Sequence, residues 1–419
     1  MNDEVQISMK RGLAGKQIVV GVSGGIAAYK TVEVVRLLTK ADAAVRVMMT
    51  RHACEFIQPL TFEALCGQKV CTSLFHGADE AAMQHIDWAR EADGVVLAPA
   101  TANLVGKLAH GLADDALSTF MLAVTAPVLV CPAMNTQMYQ HRAVQRNLQI
   151  LAADGLSVMR PGAGPLACGD TGYGRLRDPG EIVDRLTALL TPKDLRGKRI
   201  LVTAGPTREA IDPVRYISNP SSGKMGYAIA RAAEQRGAEV TLVSGPTHLT
   251  PPLGVDTIPV TSAADMCTVV LDRFDAVDIV IKTAAVGDYR PVSPAEHKIK
   301  KDARRGDPEL ALTRTEDILK ALGARKRGQL LMGFAAETRD LVENAGQKLA
   351  AKNLDLIVGN LIGPPESGFG SDTNRVTLFY ADGRQESLGV MPKEALAHEL
   401  LDRVAALSPD LSAAAAQGI

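Results

Sequence analysis

The chain has 419 residues, enough for two domains that each bury a core of their own. It is 46% apolar and 22% charged with a formal net charge of −1, a globular balance that leaves no electrostatic footprint for nucleic acid or an anionic membrane surface. No uncharged apolar run approaches the ~20 residues of a membrane span, and the start carries no apolar signal segment. The six cysteines (54, 66, 71, 131, 168 and 267) form no CxxC pair and no Cys/His ligand spacing, so the expectation is a cytoplasmic protein with reduced thiols.

In chain order, short Val/Ile/Leu runs at 17–22, 45–49, 94–98 and 128–131 are continuously apolar rather than alternating. That is the pattern of parallel strands covered on both faces. Helical spacing between them, at 27–38, 100–110 and 114–124, gives βαβα order and predicts a doubly wound sheet. Residues 161–175 hold too many glycines for helix or strand and read as a lid. A closing helix is predicted over 181–190, and the segment 191–197 is the expected boundary, dividing the chain into domains 1–190 and 191–419. The second half repeats the alternation, with strands predicted at 200–203, 239–243, 277–283, 330–333 and 354–358. An alternating segment at 375–380 reads as an edge hairpin, and the Pro/Lys/Arg-rich stretch 288–307 as an exposed flap. The first ~12 residues and the tail after Ser408 are expected to fray. Each half opens the same way: Leu-x-Gly-Lys-x-Ile-x-Val recurs with Gly15 and Gly197 in equivalent places, and each copy runs into a glycine-bearing turn. Such a strand-to-helix turn aims backbone N–H groups at an anion, so two phosphate-binding domains are predicted.

Several motifs sit where strands end. Val22-Ser-Gly-Gly-Ile-Ala-Ala-Tyr-Lys30 offers the Ser23 hydroxyl and the close-approach glycines Gly24 and Gly25. It has neither dinucleotide nor Walker spacing, and a mononucleotide such as FMN suits it better than NAD. Thr101 and Asn103 follow a strand end, where ligands sit in open α/β sheets; a helix cap by Thr101 is the plainer reading. His85 is either a structural histidine or a base, and Asn135 either grips a carboxylate or makes an Asx turn. Cys168, alone in the glycine lid, is an acid/base or an accident. In the second half Arg215 is suited to clamp a phosphate bidentately beside the neutral donors Asn219, Ser221 and Ser222. The lysine run at Lys298 is a solvated surface or a cation closing over a triphosphate, and Lys348 and Lys352, one helical turn apart, flank an anion or solvent.

Together these motifs resemble the bifunctional phosphopantothenoylcysteine decarboxylase/phosphopantothenate–cysteine ligase family of coenzyme A biosynthesis, over roughly residues 13 to 405. Gly24-Gly-Ile-Ala-Ala-Tyr-Lys, Pro99-Ala-Thr-Ala-Asn, Pro132-Ala-Met-Asn-Thr-Gln-Met and Ala167-Cys-Gly-Asp-Thr-Gly-Tyr-Gly-Arg match the decarboxylase half. Arg215-Tyr-Ile-Ser-Asn-Pro-Ser-Ser-Gly-Lys-Met-Gly, Ala284-Ala-Val-Gly-Asp-Tyr-Arg-Pro, Lys298-Ile-Lys-Lys and Gly333-Phe-Ala-Ala-Glu-Thr match the ligase half. The resemblance implies a flavodoxin-like N-terminal domain and a Rossmann-like C-terminal ligase domain. It implies FMN against Ser23, Gly24 and Gly25 with Thr50, Thr101 and Asn103 nearby. His85 would take the thiol proton as the flavin oxidises the substrate's cysteine to a thioaldehyde, Asn135 would hold the departing carboxylate, and Cys168 would supply the proton to the enethiol.

For the second half the resemblance implies a ligase joining phosphopantothenate and cysteine through an acyl-cytidylate made from CTP, with Mg²⁺ on the triphosphate. Asp288, Lys298, Phe334, Lys348, Lys352 and the run Glu316, Asp317, Ile318 and Leu319 match the family's CTP contacts. Arg215 and Asn219 match its acyl-cytidylate contacts. The family's assembly, trimers of flavin domains joined by ligase dimers into a dodecamer, is the expected homo-oligomer; neither nucleic acid nor membrane is an expected partner. Leu176 stands where the family commonly has methionine, and Gly287 where it often has alanine. The rivals are a flavin prenyltransferase and a non-catalytic regulatory flavoprotein. The Asn135 motif, the Cys168 lid and a whole second domain argue against the first, and the retained His85 and Cys168 against the second.

Overall fold

The computed structural model describes residues 12–74, 84–165, 169, 171–300, 309–337, 341–361 and 370–408. The chain divides into two compact units, Met1–Thr191 and Pro192–Ile419. The expected fraying of both chain ends falls on residues 1–11 and 409–419, outside the described residues.

In the first unit the apolar runs form β1 (Gln17–Val22), β2 (Ala44–Met49), β3 (Gly94–Ala100), β4 (Val128–Pro132) and the short β5 (Ser157–Val158). They pair in the order β2-β1-β3-β4-β5, every neighbour parallel. This is the flavodoxin-like winding, and its switch point lies between β1 and β3. All seven residues of β3 are buried, as a strand covered on both faces requires. The connecting helices take their starts from side-chain caps: Thr101 on helix Ala102–Ala109, and a reciprocal Asp115/Ser118 capping box on helix Ala116–Ala123. These caps place both helix starts two residues inside the ranges that spacing alone predicts.

The glycine-rich segment departs from its expected irregular form. Gly162–Pro165 (β6) and Thr171–Arg175 (β7) pair as an antiparallel ribbon. Backbone pairing needs no side chains, and glycine is what this geometry demands. Gly174 has φ +145°, and a Cβ there would lie 2.1 Å from the carbonyl oxygen of Met134, to which the ribbon is tied by a Met134 N–H···O=C Gly174 bond of 2.9 Å.

The second unit contains β8 (Arg199–Ala204), the small antiparallel pair β9 (Arg208–Ala210) and β10 (Tyr216–Ser218), β11 (Glu239–Ser244), β12 (Asp256–Pro259) and β13 (Ile279–Lys282). A second small pair, β14 (Tyr289–Pro291) and β15 (Leu312–Arg314), brackets the flap. The remaining strands are β16 (Leu330–Glu337), β17 (Leu356–Leu361), β18 (Thr373–Tyr380) and β19 (Gln385–Pro392). The eight-stranded sheet runs β12-β11-β8-β13-β16-β17-β18-β19, parallel as far as β17, with the last two strands antiparallel. Its first six positions follow Rossmann order with the reversal between β8 and β13. The predicted edge hairpin is β18–β19. Side chains alternate across β13: Ile279 and Ile281 join the core under helices Lys224–Gln235 and Lys393–Leu407, while Val280 joins the opposite core with Leu319 and Ala345.

One polar cluster ties the ends of this unit together. Arg236, fully buried after helix Lys224–Gln235, pairs its Nε/Nη2 edge bidentately with Asp194 (2.9 and 2.6 Å), while Nη1 reaches Asp402 (2.9 Å) and donates to the carbonyl of His398 (3.1 Å). Removing one partner of a buried pair strands the others. Arg236→Ala is therefore expected to destabilise the second unit by about 3–5 kcal/mol and leave the unfolding of the first unchanged. Denaturant titration followed by probes placed in each unit checks this, and an unaltered second-unit midpoint would show that the cluster is dispensable.

Candidate active sites

Each sheet leaves a cavity at the C-terminal ends of its strands. The first, of about 1000 Å³, is lined by the turn after β1 (Ser23, Gly24, Gly25), by Thr50, Thr101 and Asn103 after β2 and β3, by Asn135 after β4, and by Gly174 and Arg175 of the ribbon. The sheet winding thus brings together all six residues expected at a flavin, with Asn135. Local bonding refines their parts. Ser23 is buried and its hydroxyl donates to Pro99 O (2.7 Å) while accepting from Thr101 N (2.9 Å), so it fastens two turns to each other rather than presenting a free donor. Thr50 and Thr101 line the cavity while capping helices through Ala53 N and Leu104 N. Asn135 Oδ1 accepts from Gln137 N (2.8 Å), the Asx turn, and the residue still lines the cavity.

Gly24 is where the backbone comes closest. A Cβ at this position would lie 2.3 Å from the Cβ of His52, so no side chain fits where the turn packs against the start of the Thr50-capped helix. That cradle, with a cavity large enough for a tricyclic ring and its ribityl chain, fits a bound flavin mononucleotide. Four cations border it, Lys30, Arg51, Lys107 and Arg175. Burial, reinforced by nearby Arg175, lowers the pKa of Lys30 against the opposing pull of Asp178, and Lys30 Nζ reaches Leu176 O (3.3 Å). Lys107 is bonded to Asp114 (2.6 Å) and Asp115 (2.8 Å), bonds that outweigh burial and raise its pKa. His85, on helix Gln84–Glu91, is not among the residues lining this cavity, and Cys168 lies outside the described residues.

The second cavity, of about 380 Å³, is lined by Asn219 to Gly226 at the start of helix Lys224–Gln235, by Asp288, Leu319 and Phe334, and by Lys348 and Lys352. Five further polar side chains that the motifs do not include line it, Lys282, Thr283, Asn360, Asn374 and Lys393, together with Lys224 of the Ser-Ser-Gly-Lys-Met-Gly motif. Lys282 leaves a trace in the sequence as a charge closing the apolar run Ile279-Val-Ile. Lys352 is held by Asp317 (2.8 Å), which also caps helix Ile318–Arg325 through Lys320 N (3.1 Å). That pairing outweighs burial and keeps the Asp317 carboxyl below its usual range. Ile318 is packed in the core, and Glu316 faces Cys267, whose thiol is pushed up to about 11 by burial and then by that charge. Neither of these lines the cavity, nor does Asp317.

Arg215 and Lys298, expected at a phosphate, also lie off the lining. The Arg215 guanidinium is committed to Asp212, and its Nη2 donates to Ile299 O (2.8 Å) while Asp212 Oδ2 accepts from Ile299 N (3.1 Å). Both main-chain groups of the residue beside Lys298 are therefore gripped. The Arg215 bond, aided by backbone donors, holds the Asp212 carboxyl well below the usual carboxylate range. Since the folded-state value is depressed, the grip is complete at neutral pH and yields only as acid pushes through that lowered value.

Two family models match the chain, one described as Flavoprotein over residues 6–191 and one as DNA/pantothenate metabolism flavoprotein C-terminal domain over residues 195–407. The Coenzyme A biosynthesis bifunctional protein CoaBC of Bacillus subtilis (strain 168) is 51% identical over 94% of this chain and 98% of its own length. The chain belongs to this family. The family's Escherichia coli (strain K12) member is 50% identical, covering 94% of this chain and 97% of its own length. A solved C-terminal domain of a Coenzyme A biosynthesis bifunctional protein CoaBC is 49% identical, covers 51% of this chain and 96% of that one, and has a TM-score of 0.44. Membership makes the chain a bifunctional flavoprotein enzyme of coenzyme A biosynthesis, and neither the prenyltransferase nor the regulatory reading is favoured. Among the described residues no helix is long and apolar enough to cross a membrane.

Because the Gly24 turn has no room for a Cβ, Gly24→Ala is expected to displace it and yield a folded, colourless protein. The flavin-to-protein ratio from the visible spectrum checks this, and full yellow occupancy would mean that the turn does not cradle the flavin.

Proposed function

We propose that the first unit is the FMN-dependent phosphopantothenoylcysteine decarboxylase and the second the CTP-dependent phosphopantothenate–cysteine ligase. The observation that carries this reading is the presence, in one chain, of two separate cavities at the carboxyl ends of two parallel sheets, each lined by its own set of motif residues. The ligase acts first and makes the acid that the decarboxylase consumes.

In the ligase, the Asn219–Gly226 turn and the Lys348/Lys352 pair face one cavity, a place for the anionic groups of CTP and phosphopantothenate. Asn219 donates through Nδ2 to the carbonyls of Ala285 and Val286 (both 3.2 Å), which fixes it against the turn leading to Asp288. Arg215 acts as a positioning residue, holding the flap so that Lys298 can meet the charge that develops as the carboxylate displaces pyrophosphate. The amine of cysteine then displaces CMP to form the amide. Mg²⁺ would arrive on the triphosphate.

In the decarboxylase, bound FMN supplies the hydride acceptor that makes loss of carbon dioxide easy. The protein orients it through the Gly24 turn and the Thr50 and Thr101 caps. Asn135 would hold the carboxylate, His85 would accept the thiol proton and Cys168 would return a proton. His85 lies off its own chain's cavity, while Ile26, Tyr29 and Met138 on the cavity lining are 61%, 61% and 48% exposed. Apolar side chains left at a cavity mouth favour its completion by another copy, in keeping with a trimer within a dodecamer. The assembly would work in the cytoplasm.

The deciding experiment supplies phosphopantothenate, cysteine and CTP to the yellow protein and measures phosphopantetheine, carbon dioxide and pyrophosphate. A colourless protein inert with that mixture would overturn the reading. Cys168→Ser is expected to stop at an oxidised enethiol while ligation proceeds; normal phosphopantetheine formation removes Cys168 from its role. Lys298→Gln is expected to abolish pyrophosphate release with the flavin spectrum unchanged, and normal release would return the lysine run to a solvated surface.

A further inference from the structure

The lysines of the second cavity are not equivalent. Lys224 is paired with Asp372 (2.6 Å), Lys352 with Asp317 (2.8 Å), and Lys393 donates to Ser371 O. Lys282 has no hydrogen bond and no ion pair among the described residues, although it is half-buried at the end of an otherwise apolar strand. By the alternation of β13 it projects on the Val280 side, toward helices Ile318–Arg325 and Leu341–Ala351. Lys348, Lys352, Leu319 and Leu354 line that same part of the cavity. A half-buried ammonium without a partner costs folding free energy and gains nothing structural in return. Its usefulness has to come from something that enters.

We propose that Lys282 is a further nucleotide-binding residue, its unpaired ammonium joining Lys348 and Lys352 to receive the polyphosphate of CTP. This rests on the ligase reading of the second unit. The groups acting on Lys282 are Lys352 on one side and Asp317 and Asp288 on the other, with Lys348 on the same lining. Burial, followed by the repulsion of Lys352, pushes its pKa down to about 8 against the weaker pull of the two aspartates. A polyanion beside it restores the charged form, so CTP enters with uptake of a proton. With a free pKa of about 8 the residue is about half protonated at that pH, and binding there should take up about half a proton, falling toward zero near pH 6.

The test is calorimetric titration of the full-length flavoprotein with CTP and Mg²⁺ at pH 8, in buffers of different ionisation enthalpy, for the wild type, Lys282→Met and Lys282→Arg. The expected result is buffer-dependent heat for the wild type. Lys282→Met should bind about tenfold more weakly with no proton uptake. Lys282→Arg should keep the affinity and lose the uptake, a split that a purely structural residue does not produce. Without nucleotide, Lys282→Met should be at least as heat-stable as the wild type. The wild type alone should gain stability as pH rises between about 8 and 10.5, where the unfolded chain holds a proton that the folded one has lost. Buffer-independent heat with unchanged affinity in Lys282→Met would overturn the inference and leave the ligase reading standing. Absence of CTP binding to the wild type would overturn both.

Discussion

A parallel strand covered by helices on both faces can hold almost nothing but apolar side chains, because any polar group along it would be cut off from water. In both units this confines chemistry to the rim where the strands end. β3 is buried along its whole length and hands over to Thr101 and Asn103 only as it leaves the sheet; β13 is apolar until its last residue, Lys282. Two sheets of different winding therefore solve the same placement problem, and the two reversal points, between β1 and β3 and between β8 and β13, open the two cavities.

The rim residues have double duties. Thr50, Thr101, Ser23 and Asn135 all spend hydrogen bonds on caps and turns while facing the first cavity, so the groups that shape the site are also the ones that start the neighbouring helices. In the second unit Asp317 caps a helix and neutralises Lys352, and Asp212 grips the flap through both Arg215 and the main chain. Such shared bonds preorganise a site, since moving one side chain would also unseat a helix end or a turn.

Much of this was legible in the sequence, for physical reasons that also mark the boundary of legibility. Continuous apolar runs reveal parallel strands because burial on both faces leaves no polar alternation to confuse them. The flavin-side residues stand beside strand ends that such runs locate, and all six reach one cavity. The glycine ribbon was missed because pairing between backbones leaves no side-chain pattern. Arg215 looked like a phosphate clamp, but its partner Asp212 stands three residues away and the Ile299 carbonyl far along the chain, and only the fold brings that carbonyl within reach. Asn360 at the end of β17, and Asn374 and Lys393 on and after the β18–β19 hairpin, carry no local motif that hints that the sheet returns them to the cavity.

The Arg236 cluster has a mechanical meaning. It joins Asp194, at the point where the chain enters the second unit, to His398 and Asp402 on helix Lys393–Leu407. Tension applied to helix Lys393–Leu407 reaches this ionic knot within that helix, before it loads any strand of the sheet. Force then acts on two aspartates, a carbonyl and one guanidinium together, and rupture admits water to a charge that had none. The latch that resists such tension thus centres on one side chain, set among helices and the entry segment rather than in the sheet that carries the chemistry.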